Sequence, residues 1–133
     1  VSDPSLVLQA AVVAALKGSA AVQAVVGARV YDHPPQSPAF PYVSVGDDQV
    51  VDDSTACEDA FECFSTVHLW SRAKGKPELK RLGAAVRAAL DVDLTLTGFR
   101  LVTHEHRDTR YFRDADGVTE HGVASFRYLV DPA

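Results

Sequence analysis

Four of the chain's seven prolines, Pro34, Pro35, Pro38 and Pro41, fall within eight residues, and no helix or central strand passes through such a run. Each proline removes a backbone N–H and locks φ near −65°, so this stretch is extended connection. It is bracketed by Arg29-Val30-Tyr31 and Tyr42-Val43-Ser44-Val45, both rich in β-branched or aromatic residues. The pattern predicts a strand that stops at the prolines and restarts after them. No catalytic motif accompanies this joint.

Asp3-Pro4 reads as a helix N-cap with proline at the first helical position, where its missing N–H costs nothing. Leu6, Ala10, Val13 and Ala14 form an apolar stripe at helical spacing, and Lys17-Gly18 supplies a basic last turn and a stop. A short helical piece, Ala20 to Val26, follows Ser19 and ends at Gly27. Short strands are expected over Arg29 to Tyr31 and Tyr42 to Gly46. From Asp47 to Asp59 there are six carboxylates and no apolar period, which predicts a long mobile loop. Phe61 to Ser71 then alternates, with Phe61, Cys63, Val67 and Leu69 on one face and Glu62, Phe64, Thr66, His68 and Trp70 on the other. Pro77-Glu78 opens a second main helix that ends near Asp91, burying Leu79, Leu82, Val86, Ala89 and Leu90. Strands are expected at Leu94 to Thr97, Phe99 to Arg113 and Val118 to Val130, the last two joined by a turn at Asp114 to Gly117. Helix, strands, helix and strands without regular alternation predict an α+β fold: a mostly antiparallel sheet with two main helices on one face. Residues 1–133 read as a single domain without internal repeats.

Hydrophobic content of 47% with 23% charged residues belongs to a folded chain. The net charge of −5 is uneven, because residues 1–60 hold two basic and eight acidic side chains. An acidic chain without a basic face argues against dedicated nucleic-acid binding. The apolar stretch after Asp3 has no preceding Lys or Arg, so it does not read as a secretory leader, and no run has the length of a membrane span. The expected location is cytoplasmic. Cys57 and Cys63, if both are on extended chain, stand about 20 Å apart at about 3.3 Å per residue, too far for a disulfide.

Three constellations invite chemistry. His104 and His106 share a strand face, with Glu105 between them, and the hairpin brings His121 towards them, but a turn centred near residues 115 and 116 sets His121 opposite about Arg110. Exposed polar strand is the better reading. Cys57, Cys63 and His68 match no zinc or nucleophile spacing, and Asp47, Asp48, Asp52 and Asp53 lack the order of a calcium loop. Arg107, Arg110 and Arg113 recur at threes and so alternate faces on a strand. There is no phosphate loop, nucleophile elbow or acid-base carboxylate pair. No enzymatic activity, cofactor or metal is expected.

The order of these features, with Pro41-Tyr42-Val43, Val67-His68-Leu69-Trp70-Ser71-Arg72, Leu90-Asp91 and a closing Tyr128-Leu129-Val130, resembles the tail-completion, or tail terminator, family of long-tailed phages, in the version carried by gene transfer agents. The resemblance implies a virion structural protein at the neck of a phage-like particle, assembled in the bacterial cytoplasm. It implies a homo-oligomer, a hexameric ring that ends tail-tube polymerisation and meets both the tail tube protein and the head-tail connector. DNA would pass through without specific binding, and no membrane is involved. Tyr31, Pro34, Pro35, Phe40, Tyr42, Trp70 and Arg72 are the expected subunit or partner contacts; exposed Pro34 to Phe40 could reach a neighbour with little ordering cost, because proline-rich chain is already extended. The acidic loop carrying Asp47, Asp48, Asp52 and Asp53 is expected to face the channel. Competing readings are a head-completion or neck connector protein and, from another class, a small metal-dependent enzyme built on the histidines.

Overall fold

The computed structural model describes residues 3–133, and its elements follow the α+β order. They are α1 (Ser5–Lys17), α2 (Ala20–Val26), β1 (Val30–Tyr31), β2 (Tyr42–Asp52), β3 (Phe61–Ser71), α3 (Pro77–Leu90), β4 (Phe99–Arg113) and β5 (Glu120–Pro132). The strands form one sheet in the order β1-β2-β3-β5-β4. Only the β1–β2 pair is parallel, as its connection through the prolines allows.

At the centre β3 and β5 pair without a shift from Phe61↔Val130 to Ser71↔Glu120. Alternate residues of both strands are buried, Cys63, Val67 and Leu69 from β3 and Ala124, Phe126, Tyr128 and Val130 from β5. The helices cover that face, and the opposite face carries no helix. Each large apolar side chain taken from water contributes about 1.5–3 kcal/mol, so this alternation outweighs any local preference at the strand ends.

α1 begins at Ser5 with Pro4, not Asp3, at the N-cap position; the Asp3 carboxylate, one residue outside it, accepts the Ser5 N–H at 2.7 Å. The buried stripe of α1 is not the expected one: Leu8, Val12 and Leu16 enter the core, whereas of the expected positions only Val13 packs partly against it, Leu6 being 75% exposed and Ala10 and Ala14 facing out. This helix is apolar on nearly every side, so spacing alone could not select a face. The face with the larger side chains wins, because it removes more apolar area from water. In α3 the expected stripe is buried, joined by Gly83 and Ala85, with Ala89 only partly covered.

Two strand expectations are corrected. Leu94 to Thr97 forms no strand; Leu94 and Leu96 are buried without a ladder partner. The mobile loop from Asp47 to Asp59 is mostly structured, since β2 continues to Asp52 across a bulge between Gly46 and Gln49. Asp47 takes φ 60° there, a left-handed conformation that a short polar side chain tolerates. Beyond it, Val50 packs against the core and returns the strand to register. Residues 53–60 form a tied turn, with Asp53 N–H on the Ala60 carbonyl at 2.9 Å, Thr55 N–H on the Glu58 carbonyl at 2.7 Å and Ser54 N–H on Asp52 at 2.8 Å. Likewise β5 begins at Glu120 rather than Val118, because the Asp116 carboxylate accepts from the backbone of Val118 and Thr119 and from the Thr119 hydroxyl. Those bonds hold the Asp116 carboxyl down to about 2.

Glu120, 1% exposed, is clamped by Lys76 at 3.0 Å and Arg113 at 3.3 Å, which ties the hairpin base to the start of α3. Further along α3, Gly83 lies against the Tyr111 ring of β4, and a Cβ there would overlap the tyrosine hydroxyl. Gly83→Ala should therefore cost about 1–3 kcal/mol despite alanine's better helix propensity, seen as a lower urea midpoint with an unchanged slope.

Candidate functional site

The proline run ends in a cis Phe40-Pro41 bond, after which β2 starts. Arg29 fastens this joint from the other side: its Nε donates to the Pro41 carbonyl at 2.8 Å, and its own carbonyl accepts the Val43 N–H at 3.0 Å. The joint thereby sets Tyr42 on the uncovered sheet face, directly opposite Trp70. Their rings stack at 5.9 Å with an interplanar angle of 17°. Phe40 lies 5.0 Å and Tyr31 5.9 Å from Tyr42. The Arg72 guanidinium sits 4.3 Å over the Phe40 ring and donates to the Thr119 hydroxyl at 3.1 Å. Trp70 donates its indole N–H to Ser44 Oγ at 3.0 Å, so the polar edge of the ring is satisfied. Beside these rings a cleft of about 400 Å³ opens between the proline segment (Gln36, Ser37, Pro38) and the hairpin turn (Asp114, Asp116).

Of the residues expected at a contact surface, Tyr31, Phe40, Tyr42, Trp70 and Arg72 come together in this patch. Pro34, half-buried, and Pro35, exposed, belong to the same connection without joining the stack. Sequence reasoning missed His121, whose ring lies 3.8 Å from Trp70 at an angle of 14°, and Phe112, 4.8 Å from His121. The β4–β5 turn is centred one residue later than expected, so His121 faces Phe112 and not Arg110. On its other side His121 pairs with Trp70.

A chain of polar contacts crosses the patch. Asp47 Oδ2 lies 3.2 Å from His68 Nε2, His68 Nδ1 lies 2.9 Å from His121 Nε2, and His121 Nδ1 lies 3.3 Å from Asp114 Oδ1. Three such bonds between two carboxylates need three ring protons. The pair is therefore complete when it holds one positive charge, and a second would set two N–H groups against each other. Burial pushes the His121 imidazole below its ordinary value, Asp114 opposes this and His68 reinforces it.

His104 and His106 lie on the other side of the sheet beside α3. His104 Nε2 is 3.4 Å from Asp93, and His106 Nε2 is 2.6 Å from the Thr109 hydroxyl. Burial and the nearby Arg87 push His106 down. Cys63 is buried on the helix-covered face, where burial pushes its thiol up to about 11, while Cys57 is exposed in the turn. Among the described residues no three His, Cys, Asp or Glu side chains are placed to hold a metal. The four aspartates expected to act as one loop are separated: Asp47 and Asp48 form the β2 bulge, Asp52 ends that strand and Asp53 begins the turn. Burial pushes the Asp48 carboxyl up, and the Ser54 side chain and N–H hold Asp52 down.

The arrangement can bury a preformed aromatic surface against another protein. Trp, Tyr and Arg dominate the energetics of such contacts, and side chains already stacked lose little freedom on binding.

A family model described as "Tail completion protein gp17" matches residues 10–131. Among solved structures, a chain of "Virion of native gene transfer agent (GTA) particle" is similar, with a TM-score of 0.91 and 30% identity over 98% of this chain and 99% of that one. "Structure of bacteriophage SPP1 gp17 protein" is also similar, with a TM-score of 0.67 and 26% identity over 93% of this chain and 88% of that one. No curated protein sequence matches.

Because Trp70 is the only tryptophan, its fluorescence reports on the two imidazoles stacked beside it, His121 at 3.8 Å more strongly than His68 at 6.2 Å. Imidazolium quenches indole, so emission should fall on acidification with a midpoint below 6.5, and His121→Gln should remove the larger part of that step. The linkage has a definite sign. A histidine whose folded pKa is lowered takes up more protons unfolded, so its contribution to stability is full above 6.5 and declines as pH falls below it.

Proposed function

The chain belongs to the tail completion protein gp17 family, and from that premise we propose that it closes the head-proximal end of a tail tube as a ring, stops tube growth and presents a surface to the head connector. The observation that carries this reading is likeness over 98% of the chain, at a TM-score of 0.91, to a chain of a gene transfer agent particle. A match of that extent covers the sheet edges and both sheet ends as well as the core. A structural role follows from the family, and neighbours in a virion follow from the role.

The two ends of the sheet differ in a way that suits a subunit held between two unlike partners. At one end lies the patch of Tyr31, Phe40, Tyr42, Trp70 and Arg72, framed by Pro34 and Pro35. We assign it to the tail tube, because a contact that ends polymerisation has to persist, and persistent interfaces are the more apolar ones. At the other end are Asp3, Asp52, Asp53, Glu58, Asp59 and Asp131, with Arg100 beside Asp131 at 2.6 Å. Repeated around a ring, Asp52 and Asp53 would rim the opening with negative charge and let DNA pass without sticking. Asp47 and Asp48 lie away from this rim, on the β2 edge.

Two measurements test this reading. The double variant Phe40→Ala/Arg72→Ala, checked to fold by its melting curve, should leave tails of uneven and excessive length in electron micrographs. Tails of normal length with this variant in place would remove the patch from tube capping, and a chain located away from the tube end would favour another neck protein. Asp52→Asn with Asp53→Asn should give complete particles that release DNA more slowly. An unchanged release rate would take these aspartates out of the channel.

A further inference from the structure

The sheet has two open edges, and they carry opposite charge. β1 covers β2 only at Val43 and Ser44, so β2 from Gly46 to Asp52 has no neighbour on its outer side. β4 is the other edge along its whole length. The β2 edge holds Asp47 and Asp48, both exposed, and there is no Lys or Arg between residues 47 and 60. The β4 edge holds Arg107 and Arg110, with exposed Asp108 between them and Glu105 turned to Arg127, and Lys80 and Arg87 of α3 flank it, near Tyr111 and His106 respectively, so its cations outnumber its acids. All four cations are exposed. Among the described residues the Lys and Arg side chains that find carboxylates are Lys76, Arg100, Arg113 and Arg127; these four do not.

The two sets also lie at the same height on the sheet. One row of paired residues runs Gly46, Thr66, Ser125, Asp108, and a neighbouring row runs Gln49, Phe64, Arg127, Glu105. Between these rows each edge carries a bulge: Asp47-Asp48 on β2 and His106-Arg107 on β4. Arg110 belongs to the row of His68, the ring that Asp47 contacts. On the helix-covered side, Arg87 beside His106 and Phe126 is level with Asp48, whose carboxyl turns towards Ser65, while Lys80 lies further along the edge, in the row of Tyr111.

We propose that the occupant of each edge is a second copy of this chain, with Asp47 and Asp48 of one subunit set against Arg107, Arg110 and Arg87 of the next. An interface between two different edges of one chain is heterologous, and it closes into a ring when successive copies are related by rotation without translation. Charges at equal height on the two edges suit that operation when the strands run along the ring axis. The bulges keep either edge from extending as an unlimited ladder, so side-chain charge selects the partner and the register. This rests on the ring of the proposed function and names the surfaces that form it.

A charge swap tests it. Asp47→Asn/Asp48→Lys, which keeps a residue tolerant of the left-handed position at 47, should weaken self-association of the full chain at least tenfold in solution mass measurements. Arg107→Glu/Arg110→Glu should do the same, and the chain carrying both pairs should recover. Melting curves establish that each variant folds. Single swaps that associate like the parent overturn the proposal, as does a folded combined variant that fails to recover. If the parent chain is monomeric alone, zero-length carboxylate-to-amine crosslinking is applied to assembled particles carrying Arg107→Lys/Arg110→Lys. Peptides containing Asp47 and Asp48 should then be joined to those containing residues 107 or 110. Particles that hold the chain but lack this link overturn it, and links from these edges to the tube protein reassign them. A ring joined in this way but found away from the tube end would keep this inference and remove the proposed role.

Discussion

The unshifted antiparallel pairing of β3 with β5 is the constraint on which the rest of the structure depends. It gives the sheet one face lined by Val67, Leu69, Ala124, Phe126 and Tyr128, which must be covered, and one face of mixed aromatic and charged residues, which need not be. The helices go to the first because burying several large apolar side chains there is worth more than any helix gains on its own. The second is left for contacts outside the subunit. Trp70 and His121 of the aromatic patch take their positions from this ladder directly, and Tyr42 takes its own from Trp70 through the adjoining β2 pairing.

The irregularities fall outside that ladder. Shifts in register occur on β2 at Gly46/Gln49 and on β4 at Leu101/Thr103 and His106/Asp108, while the central pair has none. A core that excludes slippage tolerates bulges only where one side of a strand is free. At an edge a bulge removes regular N–H and C=O spacing and turns side chains outward. The same feature that protects an isolated subunit from indiscriminate strand pairing leaves Asp47, Asp48 and Arg107 as the distinguishing groups on those edges.

Much of the fold was legible in the residues. Alternation from Phe61 to Ser71 defined β3 to its ends, because a strand buried on one face has a period that nothing else imitates. Pro77 and the stripe from Leu79 to Leu90 defined α3 equally well. α1 was legible as a helix but not in its orientation, since Leu6, Ala10 and Ala14 are as regularly spaced as Leu8, Val12 and Leu16. The stretch from Asp47 to Asp52 was read as loop because its carboxylates hide Val50, whose packing is a property of the partner strand. At the site, the aromatic residues were identifiable by type, but not their burial: Tyr42 is only 8% exposed, and Tyr31, Phe40 and Trp70 are half-buried. The contribution of His121 was not legible, because one residue in the centre of a turn changes what stands opposite it.

The sequence by itself determined the α+β class, the break at the prolines, the absence of recognisable catalytic motifs and the likeness to tail-completion proteins. These rest on local rules: proline geometry, side-chain period and residue type. Tertiary structure alone decided which face of α1 is buried, that Asp47 and Asp48 sit on a sheet edge while Asp52 and Asp53 sit at its end, and that His121 stacks on Trp70 while His104 and His106 turn to the other side. The reason is that register, edges and faces are relations between segments far apart in the chain. They are set by which pairing buries the most apolar surface, and no single segment carries that comparison.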